Sequence, residues 1–245
     1  MSLAIRQAVL TPERVGALLA SIPERFRPTH FGIRRQRTRG RGVEIADRKR
    51  LREYIESNQI YWFHGDETLL VIMACTDEPG DIKVYPYPSE PDCKWFIPWL
   101  GHFCRGDILY GYAAMAEEIE HRHAYAVPYV EPNSGAACGW LGRNYDRYVP
   151  GLYWLNVFPH EYIARHALDI AGLAARTGGN VIEFVWGVVL QLYESPESWA
   201  ENADRIDEII YDTPGFFSKR RVDIPATIHL RDTIRLIKEL GEAWP

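Results

Sequence analysis

The sequence predicts an α+β fold, with mixed and mainly antiparallel sheets flanked by helices. Segments with helical periodicity alternate irregularly with segments rich in β-branched and aromatic residues along the 245-residue chain. Several strand candidates are separated by gaps of hairpin length, which favours antiparallel pairing over a wound parallel sheet. The order helix, strand, helix, strands recurs, so two pseudo-repeated halves are also consistent with the pattern.

The N-terminal half begins with a clear helix signal. Thr11-Pro12-Glu13 combines a good N-cap, a Pro suited to the first helical position and an acidic residue that complements the helix dipole. A second helix is predicted to begin at Ala46 or Asp47 and to end at Ser57. The remaining predicted elements are a short strand at 30–33, a hairpin of 60–64 with 68–76, strands at 82–87 and 107–112, a packed helix or irregular segment at 95–104, and a helix at 112–122.

The C-terminal half is predicted to start with a long connection over 128–149, which is rich in Gly and Pro. A Gly-Gly turn at 178–179 carries a helix C-cap signal. The predicted elements are a strand at 152–158, a helix at 159–176, strands at 181–185 and 188–193, a helix at 196–211 with Ser195 as N-cap, and a closing helix at 230–243. We expect one globular domain over 1–245, and the alternative division is into halves 1–127 and 128–245.

Composition places the chain among ordinary globular proteins, with 47% hydrophobic and 25% charged residues. No signal-peptide pattern opens the sequence, and its longest apolar runs are too short to span a bilayer. The four cysteines are irregularly spaced and form no zinc-finger pattern. We therefore expect a cytoplasmic protein with reduced cysteines and no cofactor.

Charge is unevenly distributed. Residues 1–52 hold 13 Lys and Arg against 4 Asp and Glu, whereas the remainder holds 15 against 29. The stretch 34–42, which includes Arg34, Arg35 and Arg37, has no apolar residue and is interpreted as a loop. Such arginines can bind phosphates, so one alternative is a nucleic-acid-associated protein that uses residues 34–52. No aromatic residue interleaves with them, which favours a protein partner.

Two histidine motifs are candidate metal sites. In HEYIARH, residues 160–166, the histidines are six apart, about 600° around a helix, so they point to different faces. His121 and His123 in EEIEHRH would share a face in a strand and chelate a metal together with Glu118 or Glu120. In a helix they splay by about 200°, and the plainer interpretation is a charged helix end. They remain weak metal candidates for a metal-dependent hydrolase, which is the least favoured alternative.

No other catalytic motif is complete. Cys138 lies in a Gly-rich string, but no partner histidine is fixed by spacing, and neither GxxxxGK[ST] nor a GxGxxG after a strand occurs. A binding function is therefore favoured over an enzymatic one.

Four carboxylates recur at three- and four-residue spacing in the predicted helix at 196–211: Glu197, Glu201, Asp204 and Glu208. Residues at this spacing lie on one face, where like charges cost stability. The plain interpretation is a solvated face. The functional interpretation is a surface that meets a basic partner, and Arg34, Arg35 and Arg37 are further candidates for partner binding.

Two strings resemble a known family: YVPGLYWLNVFPHEYIARH at 148–166 and GNVIEFVWGVVLQLYESPESW at 179–199. They resemble the bacterial immunity proteins paired with type VI secretion and polymorphic toxins, including the immunity family for VRR-type nuclease effectors. The resemblance covers roughly the C-terminal 100 residues. It implies a protein that neutralises a cognate toxin by direct binding, and it carries over no catalytic residue. Within it, Tyr153, Trp154 and Asn156 are expected to build the fold.

Overall fold

A computed structural model of the chain describes residues 2–5, 11–32, 42–58, 60–66, 68–73, 80–86, 108–127, 137–140, 145, 147–218 and 220. The chain divides into two compact units. The first comprises Met1–Tyr112, Val157–Pro159 and Glu183–Val188, and the second comprises Ala113–Asn156, His160–Ile182 and Val189–Pro245. Helices and antiparallel strands are both present, so the predicted α+β class is confirmed.

Seven strands follow the spatial order β3-β2-β4-β5-β6-β1-β7, and every neighbouring pair among them is antiparallel. Their bounds are β1 (Ser2–Ile5), β2 (His30–Phe31), β3 (Val43–Glu44), β4 (Ile60–His64), β5 (Thr68–Met73), β6 (Gly80–Pro86) and β7 (Ile108–Ala113). The predicted hairpin is confirmed, because β4 pairs with β5 from Ile60 opposite Met73 to His64 opposite Leu69.

Two capped helices belong to the first unit: α1 (Pro12–Ser21) and α2 (Arg48–Ser57). Thr11 Oγ1 accepts a hydrogen bond from the Arg14 N–H at 3.3 Å, and Asp47 Oδ1 accepts one from the Arg50 N–H at 3.1 Å. These caps satisfy amides that have no partner within the helix. The first helix begins where the sequence predicts, and the second begins at Arg48, one residue after the predicted Asp47, which is its N-cap. Their buried apolar residues are Val15, Leu18, Leu19, Leu51 and Ile55.

The other elements in the described part of the chain include a hairpin, three further strands and four helices. The hairpin pairs β8 (Ala124–Val127) with β9 (Ala137–Trp140), and the strands β10 (Leu155–Pro159), β11 (Asn180–Phe184) and β12 (Gly187–Gln191) have the order β11-β12-β10. The helices are α3 (Ala116–His123), α4 (His160–Arg165), α5 (Ile170–Thr177) and α6 (Trp199–Asp212). A 3-10 turn, Pro196–Ser198, precedes α6, and Ser195 caps it as predicted.

The single helix predicted over 159–176 is wrong. Ala167 has φ 48, and the N–H groups of Ala167 and Leu168 donate to the carbonyls of Ala164 and Ile163 at 3.3 and 3.0 Å. This pattern is a Schellman motif, which ends a helix through a left-handed residue. Asp169 then caps α5, since its Oδ1 accepts from the Gly172 N–H at 2.8 Å. The break escaped prediction because Ala, unlike Gly, gives no signal for a left-handed residue.

Two other element predictions need correction. The helix predicted at 112–122 begins only at Ala116, because the chain continues as β7 to Ala113. The connection predicted over 128–149 contains the strand β9, which pairs with β8. The segments predicted at 95–104 and 230–243 lie outside the described residues.

The two strings that carry the family resemblance meet in a buried core. Asn156 is fully buried, and its Nδ2 donates to the carbonyls of Tyr153 at 2.7 Å and Leu190 at 3.2 Å. Trp154 Nε1 donates to the carbonyl of Tyr193 at 2.9 Å. Buried polar groups of this kind need such partners to avoid a desolvation penalty. The expectation that Tyr153, Trp154 and Asn156 build the fold is confirmed by their burial.

Candidate functional site

The acidic face is defined by the carboxylates Glu197, Glu201, Asp204 and Glu208, on α6 and the turn before it. All four residues are exposed to solvent. The opposite side of α6 is buried through Ala203, Ile206, Ile209 and Ile210. The helix therefore presents its negative charge to solvent and its apolar side to the core.

Two residues of the acidic face are partly engaged within the protein. Glu208 Oε1 lies 2.6 Å from Arg220 Nη1, and Glu197 accepts a hydrogen bond from the Ser195 hydroxyl. Within the described part of the chain, Glu201 and Asp204 form no ion pair. Among the described residues, no cation therefore pairs with the carboxylates in the middle of the acidic face.

Arginine side chains hold α6 against α5. Arg205 Nη1 donates to the carbonyl of Thr177 at 2.7 Å, at the C-terminal end of α5. Arg176 Nη1 donates to Thr213 Oγ1 at 2.9 Å, just beyond the end of α6. Cations at a helix C-terminus interact favourably with its free carbonyls. These contacts join the helix that carries the acidic face to α5.

A buried polar cluster lies beneath α6 and consists of Glu118 and Arg122 of α3 together with Tyr193. The Glu118 and Arg122 side chains are 0% and 3% exposed. Glu118 Oε1 accepts hydrogen bonds from Arg122 Nη1 and from the Tyr193 hydroxyl. Removing a charge from water is costly unless it is paired, so this cluster is stable only as a unit.

Asp207 of α6 links the buried cluster to the surface. Its Oδ1 lies 3.3 Å from Arg122 Nε, and its Oδ2 lies 2.6 Å from His121 Nε2. The His121 ring also packs against Trp199, with the ring centroids 5.6 Å apart. His121, a weak metal candidate from the sequence, is therefore engaged with a carboxylate 86 positions away.

Burial determines the electrostatics of the cluster. It raises the pKa of Glu118, and the Arg122 charge and the Tyr193 hydroxyl only partly offset this effect. Burial and the neighbouring Glu118 carboxylate together raise the pKa of Tyr193. Burial alone would lower the pKa of Arg122, but Glu118, Tyr193 and Asp207 outweigh it and raise that pKa. The tyrosine hydroxyl and the guanidinium thus keep their protons, and both act as donors.

The other predicted sites are not assembled into catalytic groups. His160 is exposed at the start of α4, and His166 Nε2 lies 3.0 Å from the carbonyl oxygen of Tyr145. Among the residues that the structure describes, no three or more His, Cys, Asp or Glu are arranged to hold a metal ion. The side chains of His123 and Cys138 lie outside the described residues.

The basic N-terminal part is only partly described. Arg34, Arg35 and Arg37 lie outside the described residues. Three cations of α2 are paired with carboxylates: Arg52 with Glu13 at 2.7 Å, Arg50 with Asp47 at 3.5 Å and Lys49 with Glu53 at 4.0 Å. Much of the charge on this helix is therefore neutralised within the protein.

Comparison with protein-family models, curated proteins and solved structures found no match for this chain. No helix in the described ranges is long and apolar enough to cross a membrane. The candidate site is thus a charged helix that lies over a buried polar cluster.

Proposed function

We propose that the chain is an immunity-type protein of the bacterial type VI and polymorphic-toxin systems, which neutralises a cognate toxin by direct binding and not by catalysis. The observation that supports this function best is the acidic face: its carboxylates are exposed on a helix anchored by buried residues, and Glu201 and Asp204 form no ion pair within the described part of the chain. The cytoplasm is the compartment that we propose, because the four cysteines give no disulfide framework.

The partner that fits this surface is a basic protein. Unneutralised carboxylates attract a positively charged surface, speed its encounter and fix its orientation. A toxin that acts on nucleic acid needs a positively charged substrate-binding side, and covering that side with an acidic face would block the substrate. Because α6 is held by side-chain contacts to α5 and α3, little ordering entropy is lost when the surface binds.

The nucleic-acid alternative draws less support from the described residues. Three of the four cations of α2 are paired with Glu13, Asp47 and Glu53. The acidic face would repel a polyanion. The hydrolase alternative also draws little support, because no three or more His, Cys, Asp or Glu within the described ranges are arranged to hold a metal ion.

The test is neutralisation of the toxin encoded next to this protein in its own genome. Coexpression should restore growth of cells that produce the toxin, and the purified pair should form a complex. The double variant Glu201→Lys/Asp204→Lys should weaken the complex by at least about 100-fold, because close charge pairs at interfaces contribute several kcal/mol. Calorimetric titration measures this loss.

A matched control has the same change in charge. Glu53→Lys/Glu56→Lys alters two exposed carboxylates on α2 and should leave affinity within about threefold of the wild type, since it alters no residue of the acidic face. Equal affinity loss in both variants would mean that net charge, and not the acidic face, governs binding. No complex and no growth protection with the wild-type pair would refute the function itself.

A further inference from the structure

An aromatic side chain and a cation lie at the C-terminal end of the acidic face. Tyr211 follows Glu208 by three positions on α6, so it continues the row of carboxylates on the same side of the helix. It is a large residue that is 38% exposed. A carboxylate and an aromatic ring are therefore neighbours on the surface at this end of α6.

The guanidinium of Arg220 contacts both of these side chains. Its Nη1 lies 2.6 Å from Glu208 Oε1, and its Cζ lies 4.7 Å from the centre of the Tyr211 ring. A cation within about 6 Å of a ring centre is attracted by the negative face of the ring. One guanidinium thus forms an ion pair with the carboxylate and a cation–π contact with the ring.

The backbone just before Arg220 is anchored in the second unit. Phe216 and Phe217 are buried, and the Phe217 N–H donates to the carbonyl of Val149 at 2.8 Å. This anchor keeps the effective concentration of the Arg220 side chain at Glu208 high. The Arg220 and Glu208 side chains are nevertheless 52% and 57% exposed, and ion pairs so exposed are weak. Another cation can therefore displace Arg220.

We propose that Glu208 and Tyr211 form a subsite for an arginine of the basic partner, and that Arg220 occupies this subsite until the partner binds. The inference rests on the proposed function, which supplies that partner. A guanidinium suits the subsite better than an ammonium does, because its planar group stacks on a ring while its N–H groups donate to a carboxylate. The partner surface that fits this end of the acidic face thus presents arginine and not lysine.

Arg220 lowers the affinity of the subsite for other cations, since a ligand has to displace it first. When only a fraction of the molecules is competent to bind, the apparent dissociation constant rises in inverse proportion to that fraction. Removal of Arg220 should therefore strengthen the binding of an arginine ligand, whereas removal of a cation elsewhere should not.

The test is a calorimetric titration of the whole chain with hexa-arginine and hexa-lysine peptides at a low salt concentration of about 0.05 M. Arg220→Gln should bind hexa-arginine about 3- to 10-fold more tightly than wild type does. Arg165→Gln, which makes the same change in net charge on α4, should alter this affinity less than about twofold. Arg220→Gln/Tyr211→Leu should lose the preference of Arg220→Gln for hexa-arginine over hexa-lysine, because leucine offers no aromatic ring.

Three results would overturn the proposal. Equal gains in affinity for Arg220→Gln and Arg165→Gln would mean that Arg220 acts through net charge alone. The same preference for hexa-arginine with and without the Tyr211 ring would remove the ring from the subsite, and no binding of hexa-arginine to Arg220→Gln would remove the subsite itself. The peptides replace the toxin in this experiment, so these results are separate from the test of the proposed function: a toxin that does not bind wild type would refute that function and leave the peptide affinities as they are.

Discussion

Two arginine–glutamate pairs, one in each unit, differ in burial, and this difference reverses the direction in which the pKa of the glutamate is shifted. Arg52 of α2 contacts Glu13 at 2.7 Å with side chains 61% and 67% exposed, whereas Arg122 and Glu118 of α3 are 3% and 0% exposed. A hydrogen bond from its own main chain, the Thr11 side chain and Arg52 lower the pKa of Glu13, but burial raises the pKa of Glu118. Solvent stabilises the first carboxylate, and only its protein partners stabilise the second.

The comparison shows which charges are structural and which are available to a partner. The exposed pair neutralises one cation of α2, Arg52, and such surface pairs contribute little to stability. The buried pair, extended by Asp207, holds α3 to α6, while Glu201 and Asp204 on the acidic face are exposed and form no ion pair with the other described residues. In the second unit, the buried charges of Glu118 and Arg122 therefore help to position the helix that carries the exposed carboxylates.

The largest expected effect is on stability. Arg122→Met leaves the Glu118 carboxylate buried without its cation, and should lower the free energy of unfolding by about 3–5 kcal/mol. Arg52→Met, the matched substitution in the exposed pair, should cost less than about 1 kcal/mol. Urea denaturation followed by circular dichroism measures both. Similar losses of unfolding free energy in the two variants would contradict the effect that we assign to burial.

A smaller effect is expected in the pH dependence of stability. The folded-state pKa of Glu118 lies above its ordinary value of 4.5, so its contribution to stability is present below that value and is lost as pH rises through the folded-state pKa. Glu13 has the opposite sign: its lowered pKa contributes stability that is present above its ordinary value and is lost as pH falls through the folded-state pKa.

Melting temperatures measured from acid to neutral pH test these two signs. Relative to wild type, Glu118→Gln should gain stability as pH rises above 4.5. The reason is that the wild-type carboxyl must ionise in the core, whereas the amide stays neutral. Glu13→Gln should instead lose stability relative to wild type as pH rises. Parallel curves for wild type and Glu118→Gln would contradict the assigned burial effect.

Local signals made much of the fold predictable from the sequence. Thr11-Pro12-Glu13 predicted the start of α1, and Ser195 was correctly predicted as the N-cap of the turn before α6. The polar turn between β4 and β5 gave the hairpin. Each of these features depends on residues a few positions apart, and propensity and capping chemistry act at that range. The break between α4 and α5 was missed because its left-handed residue is Ala167.

The candidate site was predictable only in part. The spacing of Glu197, Glu201, Asp204 and Glu208 predicted one charged face, and the four residues are exposed. Glu118 and Arg122 are four positions apart, which was the available signal for their pairing, but spacing carries no information on burial. Tyr193 lies 75 positions from Glu118, and Asp207 lies 86 from His121. Contacts over such distances arise from packing and leave no pattern in a single sequence.

The most direct test of the central claim is the rate at which the protein associates with its neighbouring-gene toxin at low and high salt, measured by stopped flow. If the acidic face guides a basic partner, wild-type association should slow at least about tenfold when salt is raised from about 0.05 to 0.5 M. Glu201→Lys/Asp204→Lys should associate slowly at both concentrations. A wild-type rate that does not change with salt, or a variant that associates as fast as wild type, would contradict the role assigned to α6.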